Sequence, residues 1–223
     1  MSDRLSLYND ALLLCGERSL ASLTENREPR YLLDQVWEHN GVTFCLEQGQ
    51  WFFAMRTAQT DYDPDVEPPF GYNRAFSKPV DWVLTSSLCS DEFFREPLTR
   101  YTDEAGYWYS DLDTIYVRYV SNDEADGLNL AGWPESFHQY VAAYFASLVI
   151  LKISNDDRRV AILTNPTNPR ASLLGRRLLL AKSRCAMAEP TKFAAQGNWS
   201  SSRLGGWPRR NWDGGNTGGN LLG

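Results

Sequence analysis

WPESFHQYVAAYFASLVILKI, residues 133–153, decides how the rest of the chain must fold. Pro134 suits a first helical position, because its fixed φ fits there and its missing N–H is not needed. Glu135 puts a negative charge in the first turn, at the positive end of the helix dipole. Apolar residues then recur at Phe137, Val141, Tyr144, Leu148 and Leu151, in steps of three and four that place them on one face. Ala142, Ala143 and Ala146 thicken the pattern, so much of the circumference is apolar or small. A helix of that kind is enclosed by other helices, and Tyr144 is expected in its core. Its length, about 30 Å at 1.5 Å per residue, matches the diameter of a small domain. His138, Gln139 and the polar ends make it unsuitable as a membrane span.

Working outward, residues 4–15 read as a helix with Leu5, Tyr8, Leu12 and Cys15 on one stripe, ended by Gly16. A second helix is expected from Pro29 to Gln48, carried by Leu32, Leu33, Val36 and Phe44 and stopped by Gly49. From Trp51 to about residue 130 the period drifts toward two. Strands are expected at Val80–Leu84, Phe93–Leu98, Tyr107–Ser110 and Thr114–Val120, the last with Ile115, Val117 and Tyr119 turned inward. The segment 61–73 carries Pro64, Pro68, Pro69 and Gly71 and reads as a loop.

Downstream of the central helix, Asn155-Asp156-Asp157-Arg158-Arg159 is a break. Asn168 can cap and Pro169 can start a last helix to about Ala188. Leu173, Leu174, Leu178, Ala181 and Cys185 form its inner stripe. Arg170, Arg176, Arg177, Lys182 and Arg184 make a basic face directed at a partner. After Pro190 the composition turns to Gly, Ser, Asn and Trp, with few aliphatic side chains to bury, and an extended arm is expected. Trp199, Trp207 and Trp212 stand there among Arg203, Arg209 and Arg210, and read as anchors that dock on another protein. The fold class is therefore α+β. Residues 1–50 and 131–190 form a four-helix bundle, residues 51–130 an antiparallel β domain inserted between its second and third helices, and residues 191–223 an extended C-terminal arm.

Charge divides along the same line. The net charge is −6, but residues 1–130 carry 10 basic and 23 acidic residues, and residues 131–223 carry 12 and 5. Halves of net −13 and +7 point to two surfaces with different partners. Cys15, Cys45, Cys89 and Cys185 are scattered without a paired motif, and reduced, buried thiols are expected. Met1-Ser2-Asp3-Arg4 runs straight into an amphipathic pattern, so neither a secretory leader nor a membrane segment is expected, and assembly takes place in a cytoplasm.

Motifs of catalysis are missing. Asp61-Tyr62-Asp63-Pro64-Asp65-Val66-Glu67 superficially resembles a calcium loop, but lacks the glycine at its sixth position and the glutamate at its twelfth. His39 and His138 have no ligand-spaced neighbours and read as surface or packing residues. No nucleophile elbow, phosphate loop, dinucleotide fingerprint or zinc-protease motif is present. No catalytic residue, metal or cofactor is assigned. Glu17 and Glu38 could serve as a carboxylate pair in a tail-associated cell-wall hydrolase, though nothing in the pattern selects them. The basic last helix and the Arg/Trp arm also admit a nucleic-acid-binding packaging accessory protein. The sequence pI near 5.0 weighs against phosphate gripping as the main task.

Three stretches together resemble a known family. ALLLCGERSLASLTENREPRYLLDQVWEH with the following WFFAMRTAQ, then PPFGYNRAFSKPVDWVL, then the opening stretch itself, are similar to the head-to-tail adaptors (connectors) of tailed bacteriophages. In short-tailed phages these are called tail tubular proteins. The likeness spans residues 5 to about 190 and consists of many weak matches. It implies a structural protein of the virion and not an enzyme. It further implies a ring, usually of twelve copies, at the head–tail junction beneath the portal protein, with a tail or nozzle protein on its other side. Genome DNA passes through the channel without specific binding. The C-terminal arm, with Trp199, Arg203, Trp207, Arg209, Arg210 and Trp212, is implied to bind the portal.

Overall fold

The computed structural model describes residues 3–68, 70–154, 156–165 and 167–188, all within one unit, Met1–Glu189. The arm at 191–223 lies outside the described residues. The described chain is mixed α+β, with six α-helices and two small antiparallel sheets.

The chain opens with α1 (Arg4–Cys15), where the Asp3 carboxylate accepts the Ser6 N–H and the Ser6 hydroxyl returns a bond to the Asp3 backbone. Gly16, at φ 78°, ends it as expected. The helix expected from Pro29 to Gln48 is two helices, α2 (Glu28–Glu38) and α3 (Gly41–Glu47). Asn40 separates them in the left-handed region at φ 60°, which an Asn side chain tolerates and a continuous helix does not.

Three short strands and three longer ones follow. Strands β1 (Met55–Asp61), β6 (Thr114–Ser121) and β3 (Trp82–Cys89) make one sheet in the order β1-β6-β3, and β2 (Arg74–Ser77), β5 (Tyr107–Ser110) and β4 (Thr102–Glu104) make the other in the order β2-β5-β4. Ile115, Val117 and Tyr119 of β6 are buried, as the alternation required. The strand expected at Phe93–Leu98 is a loop instead. The Asp91 carboxylate accepts the backbone N–H groups of Arg95 and Glu96, Phe94 takes φ 56°, and the segment keeps a single bridge, Cys89 to Pro97.

Next comes α4 (Glu135–Ile153), with Pro134 one position ahead of the helix as its cap. A helix absent from the sequence reading, α5 (Asp157–Thr164), starts directly after the break, because the Asp156 carboxylate accepts the N–H groups of Arg158 and Arg159. Asn168 does cap, but it caps a 3-10 turn at Pro169–Ala171; α6 begins later, at Leu173, and runs to Ala188.

One hydrophobic cluster gathers around α4 and draws on every other helix, on Trp51 and Ala54, and on Val83 and Val120 of the first sheet. Its aromatic centre is Phe137. Trp51, Phe53 and Trp133 lie 4.7, 4.8 and 5.0 Å from it between ring centroids. Trp51 and Phe53 stand where the chain leaves the helices, and Trp133 where it returns. The buried indoles keep their hydrogen bonds: Trp51 Nε1 donates to the Leu46 carbonyl at 3.0 Å, and Trp133 Nε1 to that of Gly127 at 2.8 Å. All four cysteines are buried thiols, as expected.

Candidate partner-binding surface

The basic helix is built from two faces with opposite tasks. On its inner side Ala181 and Cys185 are buried, and Leu173, Leu174 and Leu178 pack against the core around α4. The Cys185 thiol accepts the Phe52 N–H at 3.3 Å and reaches the Gln50 carbonyl at 3.4 Å, which ties the end of α6 to the start of the β half. Its beginning is held by Ser172, whose hydroxyl oxygen accepts the Gly175 N–H at 2.9 Å. Gly175 itself lets the preceding turn fold against the helix. A Cβ there would stand 2.1 Å from the Pro169 carbonyl oxygen.

The outer side carries Arg176, Leu179, Leu180, Lys182, Arg184 and Met187, all exposed. Among the described residues neither Arg176, Lys182 nor Arg184 forms an ion pair, and α6 contains no carboxylate. Three cations without an ion pair stand among exposed Leu179, Leu180 and Met187, so this face is both apolar and basic. Arg170 is exposed too, but sits in the 3-10 turn ahead of the helix.

Arg177 is placed differently. Its guanidinium donates to the Gln139 carbonyl at 3.0 Å, inside the seam between α6 and α4. Burial lowers its pKa, an effect the Asp10 carboxylate offsets only in part. Asp10 Oδ2 also lies 3.4 Å from Nδ1 of His138, whose ring is 3 % exposed and without a hydrogen bond. His138 is thus a packing residue, and His39 an exposed one at the end of α2.

The expected face of α4 is corrected by the structure. Phe137 and Val141 are buried and Tyr144 partly so, but Leu148 and Leu151 are 48 % and 70 % exposed. The covered side runs instead through Phe145, Ala146, Val149 and Ile150. Sequence reasoning missed the resulting surface, since an uninterrupted apolar stripe looks the same whether it is covered or left bare.

The β half shows further exposed apolar side chains, Phe70, Val80 and Phe93, at the ends of its loops. Of the carboxylates considered for hydrolysis, Glu17 pairs with Arg27 at 3.6 Å and Glu38 is exposed on α2. Among the described residues no group of three or more His, Cys, Asp or Glu side chains is arranged to hold a metal ion, and no helix is long and apolar enough to cross a membrane. The anchors expected in the arm, Trp199, Arg203, Trp207, Arg209, Arg210 and Trp212, lie outside the described residues.

No protein-family model matches the chain, and no curated protein matches it.

Proposed function

We propose that this chain is a head-to-tail adaptor of a tailed bacteriophage. It forms a ring beneath the portal, joins capsid to tail, and lets DNA pass at ejection. The observation that carries the reading is the outer face of α6, where unpaired cations stand among bare apolar side chains. Exposed apolar side chains rimmed by charge mark an interaction surface, and a connector needs one for each neighbour. In this reading α1, α2 with α3, α4 and α6 are the four members of a bundle, and the β half is its insert. The bare tips Phe70, Val80 and Phe93 of that insert face the tail protein. The Arg/Trp arm docks on the portal, with its aromatic and Arg anchors supplying most of the affinity. The acidic excess of residues 1–130 keeps DNA from adhering in the channel. The chain assembles in the host cytoplasm and resides at the head–tail junction of the virion.

Co-assembly with the portal of the same phage, imaged as single particles, tests the reading. A ring seated on the portal is expected. Deleting residues 191–223 should leave the helices folded and weaken that docking; an unchanged portal complex after the deletion counts against the role of the arm. The three unpaired cations of α6 also favour a second reading, a packaging accessory that grips DNA phosphates. Tight DNA binding that falls steeply with salt would mark it.

A further inference from the structure

A second bare surface lies on the uncovered side of α4. Leu148 and Leu151 continue the uncovered side of α4 beyond Tyr144, whose ring stacks on Phe44 of α3 at 4.8 Å and 18°. Leu148, with Tyr144 and Val149 of α4 and Leu32 and Val36 of α2, lines a shallow, largely apolar groove. Phe44 is itself 42 % exposed. Two glutamates stand near the groove, at the ends of α2 and α3. Glu38 ends α2 next to the groove-lining His39, and Glu47 ends α3 close enough for its charge to act on the Tyr144 phenol. Both glutamates are exposed, and neither forms an ion pair among the described residues. Lys152 closes the groove at the far end of α4.

We infer that the outer face of α6 in one copy seats in the α2–α3–α4 groove of the next. Leu179, Leu180 and Met187 fill the groove, while Arg176, Lys182 and Arg184 meet Glu38 and Glu47. Apolar burial supplies the affinity, and the charge pairs set the register. The two surfaces share no residue, so the contact is heterologous. Each copy offers one of each, and repetition gives a closed ring or a filament. This deepens the adaptor reading, and rests on it only for closure of the ring.

The test is a charge swap followed by sedimentation and native mass measurement. Glu38→Arg with Glu47→Arg reverses the two acidic charges and leaves α6 intact; Arg176→Glu with Lys182→Glu and Arg184→Glu does the converse. All five side chains are exposed, and circular dichroism confirms that each variant is folded. Wild type is expected to assemble, and each variant alone to remain monomeric. Mixing the two variants supplies the wild-type pair of faces and its charge-reversed counterpart, so the mixture should assemble with the two variants alternating. A chain carrying all five changes should assemble again. Variants that assemble like wild type, or a mixture that stays monomeric, overturn the contact. Wild type that remains monomeric at every concentration also overturns it, while the adaptor reading stands or falls separately on portal binding.

Discussion

The helical half and the β half are held together by different physics. Around α4 the cohesion is apolar: Phe137 with Trp51, Trp133, Leu7, Leu12, Val141 and Phe145, all at most 6 % exposed, and the partly buried Phe53 packed against them. The β half has a much smaller cluster, Phe76, Leu88, Trp108, Ile115, Val117 and Tyr119. It is completed by polar fastenings. The Lys78 ammonium sits 3.5 Å above the Trp82 ring and 5.6 Å from that of Trp108, and pairs with Asp103. The Trp108 indole N–H is shared between Thr85 and Asp103 at 3.0 and 3.1 Å. At the start of β3, next to Trp82, the Asp81 carboxylate accepts from Ser121 at 2.6 Å, from Tyr119 at 3.2 Å and from Arg56 at 2.9 Å. Small sheets cannot bury enough apolar surface to be rigid by that means alone, and oriented charges fill the deficit. The lesson is that the two halves should answer to different perturbations.

The largest expected effect comes from the apolar half. Phe137→Ala should cost about 3–5 kcal/mol, because the cavity is lined by three large rings that cannot collapse into it. The loss should appear as one transition lowered by on the order of 10 °C, seen equally by far-ultraviolet circular dichroism and by aromatic fluorescence. Two separated transitions would break the picture of one cluster serving both crossings.

Lys78→Met is expected to cost less, about 1–3 kcal/mol, from the lost cation–π contacts and the abandoned Asp103. Here the comparison is sharpened by place. Amide exchange should quicken in β3 and β5 and hardly change in α1 and α4. Uniform acceleration would show that the fastening is not local. Gly175→Ala, with a backbone oxygen in the way of the new methyl group, should cost about 1–2 kcal/mol and fray the start of α6. Unaltered exchange at residues 173–176 would refute it.

Acid gives the smallest and most selective effect. Burial pushes the Asp81 pKa up, but the bonds from Ser121, its own backbone N–H and Tyr119, and the Arg56 charge, more than reverse this, so it lies below the usual carboxylate value. Burial and the Asp81 charge in turn raise the Tyr119 phenol to about 12. A depressed carboxylate pKa adds stability that is complete above the unfolded value, about 3.9, and is lost as pH falls through the lower native value. The β half should therefore loosen first below about pH 4. Asp81→Asn should flatten that dependence, which an acid titration followed by exchange in β6 will read. An equal acid response in the variant would assign the loss to other groups.

Much of the helical half was legible because its signals are local. Gly16 stops α1, Pro134 and Glu135 open α4, and the 3.6-residue period needs no distant information. The strand alternation in β6 is similarly explicit. Other features depend on what the rest of the chain does. Asn40-Gly41 interrupts a stripe whose apolar period continues across it, so α2 and α3 looked like one helix. Phe93-Phe94 has strand composition, but Asp91 captures the N–H groups that a ladder would need. β1, with its Arg, Thr and Gln residues, has no apolar face and exists because β6 pairs with it. As for the surface, the exposed cations of α6 could be read from spacing, whereas Arg177 turns into a seam that only the packing of Gln139 creates. The groove beside Leu148 was unreadable, since nothing in a helical pattern says where its neighbours end.

The pairing of β1 with β6 has one more consequence. Met55 stands opposite Val120 and Arg56 opposite Tyr119, so the chain departs from the helices and comes back along adjacent tracks. Everything between those tracks is a cassette. It can be shortened, lengthened or exchanged at its far end without moving α4, provided Trp51, Phe53 and Trp133 keep their hold on Phe137. A chain built this way can take on a new far end while its helical half stays as it was.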